Sequence, residues 1–273
     1  MTAHGASREA LAAARERLDA LTDSTAVDAA RVADDLAAVT ALLDREVSLR
    51  RVLTDPAQAG EAKAELVQRL LGSQVGGPAA DLVAGMVRSR WSQSRDLVDA
   101  LEELADTADL TAAQKSGALD DVEDELFRFG RIVSSSTELR AALTDRKATA
   151  SAKGELLRSL LGGRARATTE RLVTRLVTAS RGRSLEAGIE SLSKLAAERR
   201  DRMVAVVTSA VPLSDTQKQR LGAALAKLYG RRMHLNLDVD PEVLGGIRVQ
   251  VGDEVINGSL ADRIADAERR MAA

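Results

Sequence analysis

Shifted against itself by 90 residues, the chain repeats. Residues 49–72 fall on 139–162 with Leu49, Arg50, Leu53, Thr54, Asp55, Ala62, Lys63, Glu65, Leu66, Leu70, Leu71 and Gly72 identical, twelve positions of twenty-four. The correspondence continues on both sides. Val32, Leu36, Val39 and Leu42 face Val122, Leu126, Phe129 and Ile132, and Leu82, Val83 and Val87 face Leu172, Val173 and Val177. The module therefore covers 32–92 and 122–182. A period this long exceeds the roughly 20–50 residues of solenoid repeats, so each copy reads as a small helical domain present twice.

Within the first copy, Val32, Leu36, Val39, Leu43 and Val47 recur at three and four residues, which places them on one helix stripe. Thr54-Asp55-Pro56 is expected to end one helix and start the next, with Pro56 in the first turn where a missing N–H costs least. Gly72 and Gly162 follow a Leu-Leu pair and read as helix C-terminal glycines that use positive φ. Gly76-Gly77-Pro78 marks a further break before Leu82, Val83, Met86 and Val87. From Arg95 to Phe129 apolar spacing persists without proline. It predicts one long helix crossing from the first bundle into the second, with Gly117 as the place for a kink. Leu11, Leu18 and Leu21 predict a short amphipathic helix that closes the first bundle.

The pattern changes near residue 203. MVAVVTSAV is rich in branched side chains and reads as a strand, after which Ser214 and Gln217 stand at capping-box spacing to open a helix. Met233, Leu235, Leu237 and Val239 alternate with His234, Asn236 and Asp238, a strand with one wet face. Ile247, Val249 and Val251 alternate again, Gly252-Asp253 offers a hairpin turn, and Asn257-Gly258-Ser259 caps a last helix carrying Leu260 and Ile264. The expected fold is mainly α with a small α/β module. A first helical bundle spans 1–110, a second 111–202, and a C-terminal strand-helix-hairpin-helix domain 203–273.

Composition narrows the chemistry. The 39 basic and 41 acidic side chains leave a net charge of −2, no field for gripping a phosphate backbone. Cysteine is absent and His4 and His234 are the only imidazoles, so thiol chemistry is excluded and a triad or multi-histidine metal site nearly so. The aromatic supply is Trp91, Phe127, Phe129 and Tyr229, too little for a stacking platform. The most apolar run, 203–211, is too short to cross a bilayer, and the first ten residues lack the apolar core of a secretory signal. No GxxxxGK[ST] or GxGxxG string occurs, so no nucleotide or other cofactor is expected. The carboxylate clusters Glu102-Glu103, Asp120-Asp121 and Glu123-Asp124-Glu125 fall on helix patterns and read as solvated faces. The arginines Arg164 with Arg166, Arg181 with Arg183, Arg199-Arg200 and Arg231-Arg232 suit either partner contact or solubility.

VTSAVPLSDTQ at 207–217 and VDPEVLGGIRVQVGDEVINGSL at 239–260 resemble the C-terminal signature of the delta subunit of F-type ATP synthases, the oligomycin-sensitivity-conferring protein family. The residues that carry it are Pro212, Ser214, Asp240, Pro241, Gly245, Gly246, Gly252, Asp253, Gly258 and Ser259. LTDP and LTDR, each followed by Leu-Leu-Gly, resemble the family's helical domain, here in two copies, as in long actinobacterial forms. SREALA at 7–12 departs from the family's aromatic-containing N-terminal string, and Asn257 stands where Asp is common. The resemblance implies a non-catalytic stator component at the cytoplasmic face of the cell membrane, touching the membrane only through the complex. Its implied partners are the N-terminal helices of the alpha subunits and the b-type stalk subunits, with no nucleic acid. Because the family's head-binding bundle includes the chain's first helix, the first bundle is expected to hold alpha, through Leu11, Leu18 and Leu21, and the second to act as a spacer. An unrelated helical adaptor is the alternative, and a small hydrolase using the carboxylate clusters a remote third.

Overall fold

Among the residues described by the computed structural model, which are 5–24, 26–200, 203–229, 233–240, 246–251 and 254–257, eleven helices precede the first strand. They are α1 (Gly5–Asp23), α2 (Ala29–Arg45), α3 (Val47–Thr54), α4 (Gly60–Leu71), α5 (Gly77–Arg88), α6 (Ser94–Lys115), α7 (Leu119–Ser135), α8 (Thr137–Thr144), α9 (Ala150–Leu161), α10 (Ala167–Thr178) and α11 (Leu185–Arg200). The repeat is visible in their lengths. The series α2 to α5 runs 17, 8, 12 and 12 residues, and α7 to α10 runs the same. Side-chain caps start several of them. Asp28 accepts from the Ala30 N–H at 2.9 Å ahead of α2, Ser136 from Leu139 at 3.2 Å ahead of α8, and Thr149 from Ala152 at 3.2 Å ahead of α9.

The expected long helix is two helices. α6 ends at Lys115 because Gly117 takes φ 69, and the chain closes as a Schellman motif, with Ala118 N–H on the Ala113 carbonyl at 2.8 Å and Gly117 N–H on Gln114 at 3.0 Å. Pro56 is not in the first turn of α4, which starts four residues later. Asp55 instead folds back over a turn, accepting from the Ala57 N–H through its side chain and from Gln58 through its carbonyl, with Pro56 at the second turn position. Gly72 and Gly162 do cap α4 and α9, yet not by positive φ: their φ values are −59 and −56. A Cβ there would stand 2.5 Å from the Gln68 carbonyl oxygen and 2.6 Å from that of Arg158, so close approach is what demands glycine.

Residues Met1–Arg199 make one compact unit and Arg200–Ala273 another. The helical unit holds two apolar clusters. One runs from Ala10 to Ala108 and the other from Leu110 to Ala196, so the boundary between them falls inside α6. α2 lies along α6, α4 against α5, and α1 against both α5 and α6; α9 lies against α10, which also meets α6 and α7. α6 thus stands to α10 as α1 stands to α5, last helix of one bundle and first of the next. Each fully buried leucine, such as Leu36, Leu101 or Leu126, contributes roughly 1.5–3 kcal/mol by leaving water.

In the second unit, β1 (Met203–Ser209), α12 (Asp215–Tyr229), β2 (Met233–Val239), β3 (Ile247–Val251) and β4 (Glu254–Asn257) form a four-stranded sheet in the order β2-β1-β3-β4. β1 pairs parallel with β2 across the α12 connection and antiparallel with β3, which pairs antiparallel with β4. Val207, Val249 and Val251 meet Leu225 of α12 in a small core. Ser214 and Gln217 form the capping box: the Gln217 Oε1 accepts from the Ser214 N–H at 2.8 Å. Leu237 and Val239, on the face expected to be buried, are 36% and 46% exposed, at the outer end of edge strand β2.

Two glycines give opposite expectations. Gly117→Ala should cost about 1–2 kcal/mol, since a Cβ at φ 69 is strained. Gly154→Ala, mid-helix with nothing within 4 Å and matching Ala64 of the other copy, should gain roughly 0.5–1 kcal/mol. Chemical denaturation of both variants checks the pair.

Candidate functional site

One side of α6 is acidic. Asp99, Glu102, Asp106 and Asp109 follow at intervals of three, four and three, which sets four carboxylates along one stripe of the helix. α10 answers with Arg171 and Arg175, one turn apart. Arg171 Nη2 donates to Asp109 Oδ1 at 2.5 Å, and Arg175 donates to Asp106 Oδ1 at 2.6 Å and to Asp109 Oδ2 at 2.8 Å. The turn between α10 and α11 supplies Arg181 and Arg183, which both donate to Glu102 Oε2, with Arg181 also 3.5 Å from Asp99. Arg181 takes φ 46, a left-handed backbone that costs a non-glycine residue energy and is held by this pairing and by Arg95 donating to its carbonyl at 2.8 Å.

A third contact lies at the end of α11. Arg199, 6% exposed, donates to Asp19 of α1 at 2.7 Å and to Gln114 of α6 at 2.6 Å. α1 is itself fastened to α6 by Arg15 on Glu103 at 2.5 Å and by the buried Ser7 hydroxyl donating to Asp96 at 2.7 Å. The two bundles are therefore joined by a buried ionic seam as well as by a shared helix. The Asp109 side chain has no exposure and that of Glu102 5%, so these charges survive only because each is paired.

Burial pushes the Asp106 carboxyl up to about 7; Arg175 pulls it back, while Glu102 and Asp109 push it further up. Burial works against the Arg175 charge, yet Asp106 and Asp109 outweigh it and hold that pKa above its usual value. The arrangement is suited to holding two bodies in one geometry. Among the described residues no group of three His, Asp or Glu side chains is placed to hold a metal ion, and no helix is long and apolar enough to cross a membrane.

The solvated-face reading fits Asp120, Asp121 and Asp124, which are exposed, and fails for Glu102, which burial against α10 and the following turn converts into a seam residue. Of the arginine groups, Arg166 pairs with Asp121 at the surface at 2.5 Å, whereas Arg181, Arg183 and Arg199 are committed to the seam. Arg231-Arg232 and His4 lie outside the described residues. Leu18 is fully buried in the first cluster, and Leu11 and Leu21 are partly buried against it, so the α1 stripe faces its own core. Of the C-terminal residues, Ser214 caps α12, Pro212 lies in the connection before it, the Asp240 N–H extends the β1–β2 ladder to the Ser209 carbonyl at 3.0 Å, and Gly246 takes φ 100. Pro241, Gly245, Gly252, Asp253, Gly258 and Ser259, and the final helix expected after Asn257, lie outside the described residues. The seam itself was missed, although the acidic spacing on α6 beside an unbroken apolar stripe was available as a signal.

Removing one partner should be costly. Arg175→Met leaves Asp109 and Asp106 short of a buried counter-charge and should cost about 3–5 kcal/mol, against under about 0.5 kcal/mol for Arg128→Met, whose pair with Asp124 is exposed. For Asp106 the folded-state pKa lies above its ordinary value of 3.8, so between about pH 4 and about pH 7 the folded chain keeps a proton that the unfolded chain has lost. This group therefore withdraws stability as pH rises through that window. Asp106→Asn removes the slope, and the stability of the variant relative to the unaltered chain should rise between pH 5 and pH 8 in urea unfolding.

The chain's sequence has clear relatives. The family model described as ATP synthase delta (OSCP) subunit matches residues 107–271. The protein named ATP synthase subunit delta of Streptomyces avermitilis is 84% identical over 272 residues, covering 100% of both chains. That of Kineococcus radiotolerans is 46% identical, covering 98% of this chain and 97% of its own. A chain of the Toxoplasma gondii mitochondrial ATP synthase hexamer matches at 21% identity over 62% of this chain and 95% of that one, with a TM-score of 0.27, so the assignment stands on the sequence matches alone. With the duplicated helical region on the page, they make the chain a member of the ATP synthase delta (OSCP) subunit family in its long actinobacterial form, a non-catalytic part of the peripheral stalk.

Proposed function

We propose that the chain works as a strut between the alpha/beta catalytic head and the b-type stalk subunits of the F-type ATP synthase, resisting the torque of the rotor. The helical part takes amphipathic N-terminal helices of alpha, the C-terminal module takes the b-type subunits, and the assembly lies on the cytoplasmic face of the cell membrane. Its working parts are 1–110, 111–202 and 203–273, the first two locked together.

The observation that carries this reading is the seam between α6, α10 and α11. A stator transmits force only if its parts do not turn against each other, and here two bundles share one helix and seven buried or half-buried charges, Glu102, Asp106, Asp109, Arg171, Arg175, Arg181 and Arg183. A flexible linker is absent from the junction: only Ser116, Gly117 and Ala118 separate α6 from α7.

Membranes depleted of the chain should lose proton-driven ATP synthesis while the released head keeps hydrolysing ATP, and adding the purified chain back should restore synthesis. Synthesis at an undiminished rate in depleted membranes overturns the reading.

A further inference from the structure

The helical unit ends at Arg199, and the chain passes into the second unit at Arg200. A pull on the C-terminal module is therefore delivered along the backbone to the end of α11, and whatever holds that end receives it. Along most of its length α11 is held by apolar packing, with Leu185, Ile189, Leu192 and Ala196 in the second cluster. Such contacts are non-directional: they favour burial more than any one orientation of the helix.

The last turn is held differently. The Arg199 guanidinium is divided between two acceptors on other helices, Nη1 donating to Asp19 Oδ1 of α1 at 2.7 Å and Nε to Gln114 Oε1 of α6 at 2.6 Å. Both side chains of the ion pair are buried. A planar guanidinium that donates in two directions has its own plane fixed, which an ammonium on a flexible stem would not achieve. α1 is in turn fastened to α6 through Arg15 and Ser7, so the acceptors belong to one firmly joined pair of helices.

The repeat shows that packing does not require an arginine at this place. Counted from the first residues of the two helices, the residue of α6 that matches Arg199 is Ala108, which lies without exposure in the first core. The second copy carries a buried cation there instead, at the point where the chain leaves the helical unit. Burying that charge costs desolvation, which pairing offsets without much net stability. What the arginine supplies is a directional tie between residues 180 positions apart.

We propose that Arg199 is a positioning residue of the stator: through Asp19 and Gln114 it ties the end of α11 to α1 and α6, so that load arriving from the C-terminal module enters the first bundle directly and not through the apolar packing of the second. The assignment rests on the stalk function given above.

Membranes depleted of the chain and reconstituted with increasing amounts of the purified full-length protein give two readouts, the amount needed for half of the restored ATP synthesis and the rate at saturation. The double variant Asp19→Asn/Arg199→Gln removes both charges together and leaves neither buried alone. It should need the same amount as the unaltered chain yet saturate at a lower rate of proton-driven synthesis, with ATP hydrolysis by the head unchanged. A mere loss of folded protein would do the reverse, raising the amount needed and still reaching the full rate. Lys194→Met, on the same helix with an exposed partner in Glu198, should match the unaltered chain on both readouts. Because the chain has no cysteine, spin labels can be placed at Glu16→Cys and Glu198→Cys, both exposed, and the α1–α11 distance distribution should broaden in the double variant.

A full saturated rate with the double variant, or a lower rate with an unchanged distance distribution, overturns the assignment while the stalk function stands. Should circular dichroism show that the double variant loses helix content, Gln114→Ala takes its place, since it removes one acceptor and keeps the ion pair, and a full rate with it overturns the assignment in the same way. If the unaltered chain restores no synthesis to depleted membranes, the stalk function falls and this assignment with it.

Discussion

Every feature of the helical unit depends on α6 being read from two sides. One side carries Leu97, Val98, Leu101, Leu104 and Ala108, all without exposure, into the core of the first bundle. The other carries Asp99, Glu102, Asp106 and Asp109 to the arginines of the second. A helix has about 3.6 residues per turn, so the two stripes run side by side without competing for positions. Toward its C-terminal end α6 also feeds the second cluster through Leu110 and Ala113, which makes it a structural member of both bundles.

An apolar junction of the same size would hold the bundles as firmly, since burying ion pairs offers little net stability over well-packed hydrophobic residues. What ion pairs add is geometry. Asp109 accepts from both Arg171 and Arg175, and Glu102 from both Arg181 and Arg183, so sliding α10 along α6 by a turn would strand several charges away from water. For a protein whose task is to hold an orientation under load, a steep penalty on slippage matters more than a deep minimum. The raised pKa of Asp106 shows that burial and the neighbouring carboxylates outweigh the Arg175 counter-charge there.

Local patterns were legible in the sequence and distant partnerships were not. The repeat, the helices, the change of class at residue 203, the Ser214–Gln217 box and the β3–β4 pairing all rest on residues near one another in the chain, where spacing speaks directly. The break at Gly117 was visible only as a glycine, because the choice between kink and terminus depends on whether the following residues turn back to bond Ala113 and Gln114. The seam escaped because Glu102 and Arg181 are 79 residues apart, and Asp19 and Arg199 are 180 apart. Taken singly, a carboxylate on a helix looks the same whether water or a guanidinium faces it. The exposure of Ile132 escaped for a related reason: it aligns with Leu42, and only the packing shows that one is partly buried against a core and the other 53% exposed.

Sharing α6 also sets how such a chain can lengthen in evolution. Each added unit brings five new helices, not six, which is why the period is 90 residues while a bundle occupies about 110. A third unit would need α11 to offer what α6 offers. Counted from the first residues of the two helices, the positions matching Asp99, Glu102, Asp106 and Asp109 are Glu190, Ser193, Ala197 and Arg200, so the anionic ladder is not renewed. The carboxylates that fasten α10 to α6 therefore have no counterpart on α11.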